Sequence, residues 1–348
     1  MRALTVIPGQ RGSARLDEVD EPAADDGPVL VQGLAVGVCG TDAELVAGAF
    51  GEAPAGCERL ILGHESLGRV LEAPAGSGLQ RGDLVAGIVR RPDPVPCPAC
   101  GAGEWDMCSN GRYTERGIKA RHGYGSERWR VEPAFAVRID PALEPTGMLL
   151  EPASVVAKAW EHIERIGARA YWRPKRVLVT GAGPIGLLAA MLGAQRGLEV
   201  HVLDQVSEGP KPVLVDALGA TYHSGGAAEV AALSDVIIEC TGASSVVLDV
   251  LSHSARDGIV CLTGVSSGGR AIPVDAAQLG RGLVLENDVV FGAVNANRRH
   301  WQAAGEALGR ADRTWLQALI TRREPMERWE AALGREPNDV KVVLGFES

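Results

Sequence analysis

Two short stretches in the first third of the chain, Cys39-Gly40-Thr41-Asp42 and Gly63-His64-Glu65-Ser66, bring together a thiol, an imidazole and a carboxylate. Cys39, His64 and Glu65 offer sulfur, nitrogen and oxygen ligands to a zinc ion that keeps one coordination position open. An open zinc lowers the pKa of a bound hydroxyl and polarises a carbonyl oxygen, which is what alcohol oxidation needs. Taken singly, a cysteine and a histidine in such runs are more often buried core residues. Their occurrence together, ahead of a nucleotide-binding pattern, favours a catalytic metal.

That pattern is Lys175 to Asp204. A strand-like run, Val177 to Val179, stops at Gly181-Ala182-Gly183-Pro184-Ile185-Gly186; an apolar helical run follows, closes at Gly197, and gives way to a second β-branched run ending at Asp204. Gly181 permits the tight turn, Gly183 lets the backbone approach a pyrophosphate, and Gly186 lets helix and strand pack closely. The helix start presents free N–H groups to the phosphates. Asp204 stands where a carboxylate holds the ribose hydroxyls. It would repel a 2′-phosphate, and Gln205 follows where an arginine would welcome one, although Lys211 can reach back. The reading is NAD, with NADP the alternative. Thr241 and Gly264, at the ends of later apolar runs, are further candidate cofactor contacts.

The elements that must position these groups follow from composition and pattern. A chain of 348 residues implies about two domains. Residues 1–155 are rich in glycine, proline and short β runs such as Val29 to Val36, the mark of a β-rich domain with irregular loops. From Glu151 to Ile166 the spacing of Val155, Val156, Ala159, Ile163 and Ile166 predicts a helix with one buried face. Residues 156–295 then alternate helix with strand, and Val236-Ile-Ile, Ile259-Val-Cys-Leu and Val289-Val-Phe read as further strands of a doubly wound parallel sheet, the last ending near Gly292. The segment 296–348 carries Trp301, Ala304, Leu308, Trp315 and Leu319 at helical spacing; these are core residues of a tail returning to the first domain. The fold class is therefore α/β.

A balance of 35 basic against 44 acidic residues speaks against nucleic-acid or membrane-surface binding. No apolar run is long enough to span a bilayer, and the start of the chain runs into a strand rather than a signal peptide. Seven cysteines in a chain of this length point to metal binding in the cytoplasm rather than a secreted disulfide framework.

Across essentially its whole length the chain resembles the zinc-dependent medium-chain alcohol dehydrogenases, and within them the archaeal-type glucose dehydrogenases. The resemblance rests on Gly37-Val-Cys-Gly-Thr-Asp42, Gly63-His-Glu65, Val89-Arg-Arg-Pro92, Glu115-Arg-Gly-Ile118, Leu150-Glu-Pro152, the Gly181–Gly186 turn and Gly292-Ala-Val-Asn295. It implies a GroES-like catalytic domain joined to a Rossmann domain. It also implies that Cys39 and His64 bind the zinc, and that Glu65 is a ligand exchanging with water or with Glu151. Glu151 itself coordinates directly or through water. Thr41 takes the proton of the zinc-bound alcohol and passes it toward the nicotinamide ribose. Glu115 and Asn295 hydrogen-bond sugar hydroxyls, Asn295 also lying near the cofactor. The implied reaction moves hydride from a sugar or polyol hydroxyl to NAD(P) in a cleft between the domains; glucose oxidised at its anomeric carbon yields the lactone. The resemblance further implies a homodimer or homotetramer paired through an edge strand near Val289–Val294.

Two departures from the family matter. Its lobe carries four cysteines around a structural zinc; here Cys97, Cys100 and Cys108 keep three places while Pro94 stands in the fourth. Either another residue such as Asp93 completes the set, or the lobe folds without metal, to which the proline inclines. Val155 stands where some glucose-specific relatives present a carboxylate, and losing a buried hydroxyl partner shifts polyol preference. Rival readings are a biosynthetic dehydrogenase of a cyclitol, amino sugar or nucleoside, an enzyme with an internal redox cycle, and a non-catalytic cofactor-binding relative.

Overall fold

The structure, a computed structural model, describes residues 1–265 and 272–346. They form two compact units, one from Met1–Ser154 together with the chain from Asn295 onward, the other from Val155–Val294.

The first unit is organised on the strand Val29–Val38, which alternates buried and partly exposed residues until Ala35, where three consecutive residues turn inward. The change coincides with a register shift against the neighbouring strand Glu65–Glu72, between Gly33 and Ala35, which sets Gly37 directly opposite Glu65. A one-residue slip exchanges the two faces of a strand. Here the slip places an ionisable side chain over the centre of the sheet. On the other side of Val29–Val38 lies the chain's last strand, Lys341–Gly345, with Val342 opposite Val38 and Val343 opposite Gly37. The sheet runs Ala136–Ile139, Leu84–Gly87, Glu65–Glu72, Val29–Val38, Lys341–Gly345, Ile320–Pro325, and Arg128–Val131 also pairs with Val29–Val38. Val6, Val36, Leu45, Leu62, Val342 and Leu344 form one apolar core, and Val31, Val85, Tyr124 and Trp129 belong to a second. The amphipathic helix Arg298–Arg310 buries His300, Trp301, Ala304, Ala307 and Leu308, and Arg313–Leu319 buries Trp315, Leu316 and Leu319. Trp301 and Trp315 are core residues.

The second unit is a parallel sheet of six strands in the order Thr221–His223, Glu199–Leu203, Arg176–Thr180, Val236–Glu239, Ile259–Leu262, Val289–Gly292. The central strands are buried on both faces, so they read as continuous apolar runs. The sequence direction reverses between Arg176–Thr180 and Val236–Glu239, where Thr180 pairs with Glu239 at the carboxyl ends. Ligands of such sheets bind at that switch point. Val289–Gly292 closes one edge and keeps Val290 exposed. Among the described residues no helix is long and apolar enough to cross a membrane.

Candidate active site

Cys39 caps the helix Gly40–Val46: its Sγ accepts the Thr41 N–H at 3.2 Å, and the Asp42 carboxylate accepts the Cys39 N–H at 3.0 Å. This reciprocal cap fixes thiol and carboxylate together. His64 follows Gly63, whose φ of +86° bends the chain out of its strand, and lies buried with Nε2 3.2 Å from Cys39 Sγ. Its Nδ1 faces Asp42 Oδ1 at 3.6 Å, an ion-pair separation longer than a hydrogen bond that sets a carboxylate behind the imidazole. Ligand atoms of Cys39, His64 and Glu65 all lie within 4.8 Å of one another.

These residues fit a zinc ion. Tetrahedral zinc separates a sulfur and a nitrogen ligand by roughly 3.5 Å, close to the 3.2 Å between Cys39 and His64. The charge balance agrees. Burial opposes a positive His64, yet the negative Cys39 and Asp42 outweigh it and hold the imidazole proton well above its ordinary range. Asp42 in turn is kept below the usual carboxylate range against its own burial, chiefly by His64.

Glu65 has a further partner. Its carboxylate forms an ion pair with Lys341, both side chains being almost fully enclosed, and Lys341 also donates to the Val38 carbonyl at 2.9 Å. A Cβ on Gly37 would fall 2.1 Å from Glu65 Oε2 and 2.8 Å from Lys341 Cε. Glycine is required there to leave room for the pair. Glu151, near the start of helix Leu150–Gly167, stands outside the three-residue group but within its field. Burial lifts its carboxyl to about 7, against the pull of His64, with Glu65 adding like charge.

Glu115 and Asn295 meet directly: Asn295 Nδ2 donates to Glu115 Oε1 at 2.7 Å. Arg90 donates to the same oxygen from Nε and Nη2 at 3.0 and 2.9 Å. Asn295 holds φ at +60°, and its own Oδ1 accepts the Ala296 N–H at 2.8 Å.

The three lobe thiols converge within 4.8 Å, Cys97 and Cys108 being 4.0 Å apart. Asp93 does not join them: its carboxylate accepts the Val95 N–H at 2.9 Å and the Asn110 amide. N–H donors of Cys100 and Ser109 lower the Cys97 thiol to about 6, whereas burial raises Cys100 to about 11. Of the remaining cysteines, burial pushes Cys240 up to about 12 and Cys261 higher still, and Cys57 is exposed.

In the second unit the glycine turn has the geometry a dinucleotide needs. Gly181 has φ +90°, a Cβ on Gly186 would strike the Gly181 carbonyl at 1.8 Å, and nothing lies within 4 Å of a Cβ built on Gly183. Gly183 caps the helix Pro184–Gln195 without a side-chain hydrogen bond, leaving its first N–H groups for a ligand. Asp204 is already engaged: Oδ2 accepts Ala182 N–H at 2.7 Å and Lys211 Nζ at 2.8 Å, and Oδ1 accepts Val206 N–H at 3.1 Å. Gln205 is exposed. Thr241 and Gly264 are joined through a residue the sequence reading missed, the fully buried Glu239. Its Oε1 accepts Thr241 N–H at 2.7 Å as well as the Thr241 hydroxyl, its Oε2 accepts Gly242 N–H at 3.1 Å, and its carbonyl accepts Gly264 N–H at 2.9 Å. A charged residue ending the otherwise apolar Val236-Ile-Ile run was the available signal.

Asp204 carries one prediction. Burial resists its ionisation, but the Lys211 ammonium and the Ala182 and Val206 N–H groups prevail and lower its pKa. Its contribution to stability is therefore complete above the unfolded value near 3.8 and is lost only as pH falls through the lower folded value. Asp204→Ala is expected to raise KM for NAD by roughly tenfold or more, the worth of a charge-assisted hydrogen bond. NADP suffers less because Lys211 is released. An unchanged ratio of the two KM values at neutral pH would show that Asp204 does not read the ribose.

Residues 25–141 match the alcohol dehydrogenase GroES-like domain, and residues 144–346 match the glucose dehydrogenase C-terminus family. A glucose 1-dehydrogenase of Methanocella arvoryzae is 40% identical over 99% of both chains, and one of Thermoproteus tenax is 38% identical over the same shares. Glucose dehydrogenase from Haloferax mediterranei superposes over the full length of both chains with TM-score 0.91 at 32% identity, and that enzyme has also been solved with NADP, zinc and gluconolactone. The chain belongs to the glucose dehydrogenase family of the zinc-dependent, GroES-like alcohol dehydrogenases.

Proposed function

We propose that this protein oxidises the anomeric hydroxyl of glucose, or of a closely similar aldose, to the lactone, with NAD(P) accepting the hydride. The observation that carries this reading is the convergence of Cys39, His64 and Glu65 on one metal position, in the same unit as the Glu115–Asn295 pair.

Zinc bound at that position supplies Lewis acidity toward the reacting hydroxyl. The chain's own groups do the rest. Asp42 sets a carboxylate behind the His64 ring, whose Nε2 faces the metal position. Lys341 holds Glu65 from behind. Thr41 accepts the hydroxyl's proton on its side-chain oxygen and passes it on. Glu115 and Asn295 take the remaining hydroxyls and set which carbon presents its hydrogen. In the cofactor unit the Gly181–Gly186 turn receives the pyrophosphate, Asp204 and Lys211 the ribose, and Glu239 fixes Thr241 and Gly264 beside them. The exposed Val290 on the edge strand and Val294 just beyond it, with Val284 and Leu285 on the helix Ala276–Glu286, are the surface for pairing with a second copy. The chain's free thiols suit the reducing cytoplasm.

The test is reduced-nicotinamide formation at 340 nm, with NAD and NADP against aldoses, polyols and cyclitols. Turnover of glucose with lactone as product is the expected outcome. Silence on all aldoses, with turnover of a cyclitol or polyol, would overturn it.

A further inference from the structure

We propose that Arg90 is a specificity-determining positioning residue: it saturates one oxygen of Glu115 so that the other is presented, without a partner from the described chain, to a single substrate hydroxyl. The proposal rests on the sugar-oxidising reading above and assigns one part of its selectivity.

The argument begins in the backbone. Arg90 and Glu115 sit directly opposite each other on the antiparallel pair Arg90–Arg91 and Thr114–Arg116. Facing residues of such a pair are within side-chain reach. The Arg90 guanidinium is buried and held on three sides. Nη1 donates to the Asp106 carbonyl at 3.3 Å, the group stacks 3.7 Å over the Tyr113 ring, and Nε and Nη2 point at Glu115.

An arginine beside a carboxylate ordinarily engages both oxygens, one N–H to each. Here both N–H groups go to Oε1, and the Asn295 amide adds a third donor to that oxygen. No described residue donates to Oε2. The Glu115 side chain is 12% exposed, and Oε2 is not among the buried unpartnered atoms, so a donor from outside the chain can reach it. A carboxylate is an acceptor only. What satisfies Oε2 must be a donor, and on a sugar that is a hydroxyl; a methylene or a carbonyl in its place leaves a half-buried charge unmet.

The position is appropriate. Two residues beyond Glu115, a Cβ on Gly117 would touch the Gly63 carbonyl at 2.7 Å, and Gly63 immediately precedes His64. The turn bearing Glu115 is thus packed on the backbone that delivers the metal-binding imidazole. Arg90 touches neither substrate nor metal; it acts through Glu115.

The test compares glucose with its 2-, 3-, 4- and 6-deoxy analogues in the zinc-loaded enzyme, for the native protein, Arg90→Met, Arg90→Lys and Glu115→Gln. The native enzyme is expected to disfavour one analogue by roughly 10- to 100-fold in kcat/KM, the worth of one hydrogen bond to a charged group. In Arg90→Met that discrimination collapses, through a raised KM for glucose with little change for the same analogue, and Arg90→Lys recovers part of it. The double variant Arg90→Met/Glu115→Gln is no worse than Glu115→Gln alone, because both changes remove one interaction. A purely structural ion pair gives another pattern: Arg90→Met lowers kcat/KM equally for glucose and every analogue, or lowers only Tm, and either result overturns the proposal. A native enzyme that turns over no aldose overturns the sugar-oxidising reading and this inference together, an outcome distinct from loss in the Arg90 variants alone.

Discussion

Cys39→Ala is expected to lower kcat/KM by roughly a thousandfold or more, because Lewis-acid assistance is worth several kcal/mol and each 1.36 kcal/mol is a factor of ten. Cys39 is both a proposed metal donor and the cap of its helix, accepting the Thr41 N–H through sulfur. Alanine removes the ligand and part of the cap. Cys39→Ser, which restores a capping oxygen, separates the two effects. Both variants should lose turnover, and only Cys39→Ala should lose measurable stability. Metal content checks the assignment independently of activity. The native chain should hold about one zinc and Cys39→Ala almost none. Cys97→Ser should leave the count unchanged, since Asp93 is bonded into its own turn and leaves the lobe with three thiols where a structural zinc takes four ligands. Two zinc ions in the native chain would reverse the reading of the lobe. Full turnover in Cys39→Ala would remove the metal from the mechanism.

The elements that carry the candidate metal and nucleotide residues were legible in the sequence because each is local. Cys39-Gly-Thr-Asp is a helix cap, Gly63-His64 a turn entering a strand, and Gly181–Gly186 a turn whose three glycines have separate steric causes, each visible as a φ value, a collision or an open space. The alternation of helix and strand after Val177 was equally plain, since buried parallel strands are apolar runs and their ends are glycines. What stayed hidden depended on register between distant segments. Nothing near Arg90 announces that it faces Glu115, or that Asn295, from far along the chain, shares the same oxygen. Asp204 was legible as a candidate ribose carboxylate within reach of Lys211, but not as the acceptor of the Ala182 N–H, which ties the glycine turn to the end of the next strand. Glu239 was passed over as the end of an apolar run, although a charge buried at the switch point had to be held by something.

Lys341 is the clearest case of such a residue, and its replacement carries the second large effect. It is a lone cation in the apolar run Val340-Lys341-Val342-Val343-Leu344, and pairing of that strand with Val29–Val38 sets it against Glu65, which the same central strand holds from its other side. Removing one member of a buried ion pair leaves an uncompensated charge and costs about 3–5 kcal/mol. With roughly 2–4 °C of Tm per kcal/mol in a unit of this size, Lys341→Met is expected to lower the Tm of the metal-free protein by about 10 °C. Zinc should restore part of the loss, because a cation beside Glu65 does what the ammonium did, and the zinc-dependent rise in Tm should be larger in the variant than in the native chain. The double variant Glu65→Gln/Lys341→Met closes the argument. With neither charge buried, most of the stability should return, whereas two unrelated defects would add. If Lys341→Met matched the native Tm without metal, Glu65 would not depend on the pair. If the double variant were worse than either single one, the cost would lie in packing around Gly37 rather than in the buried charge.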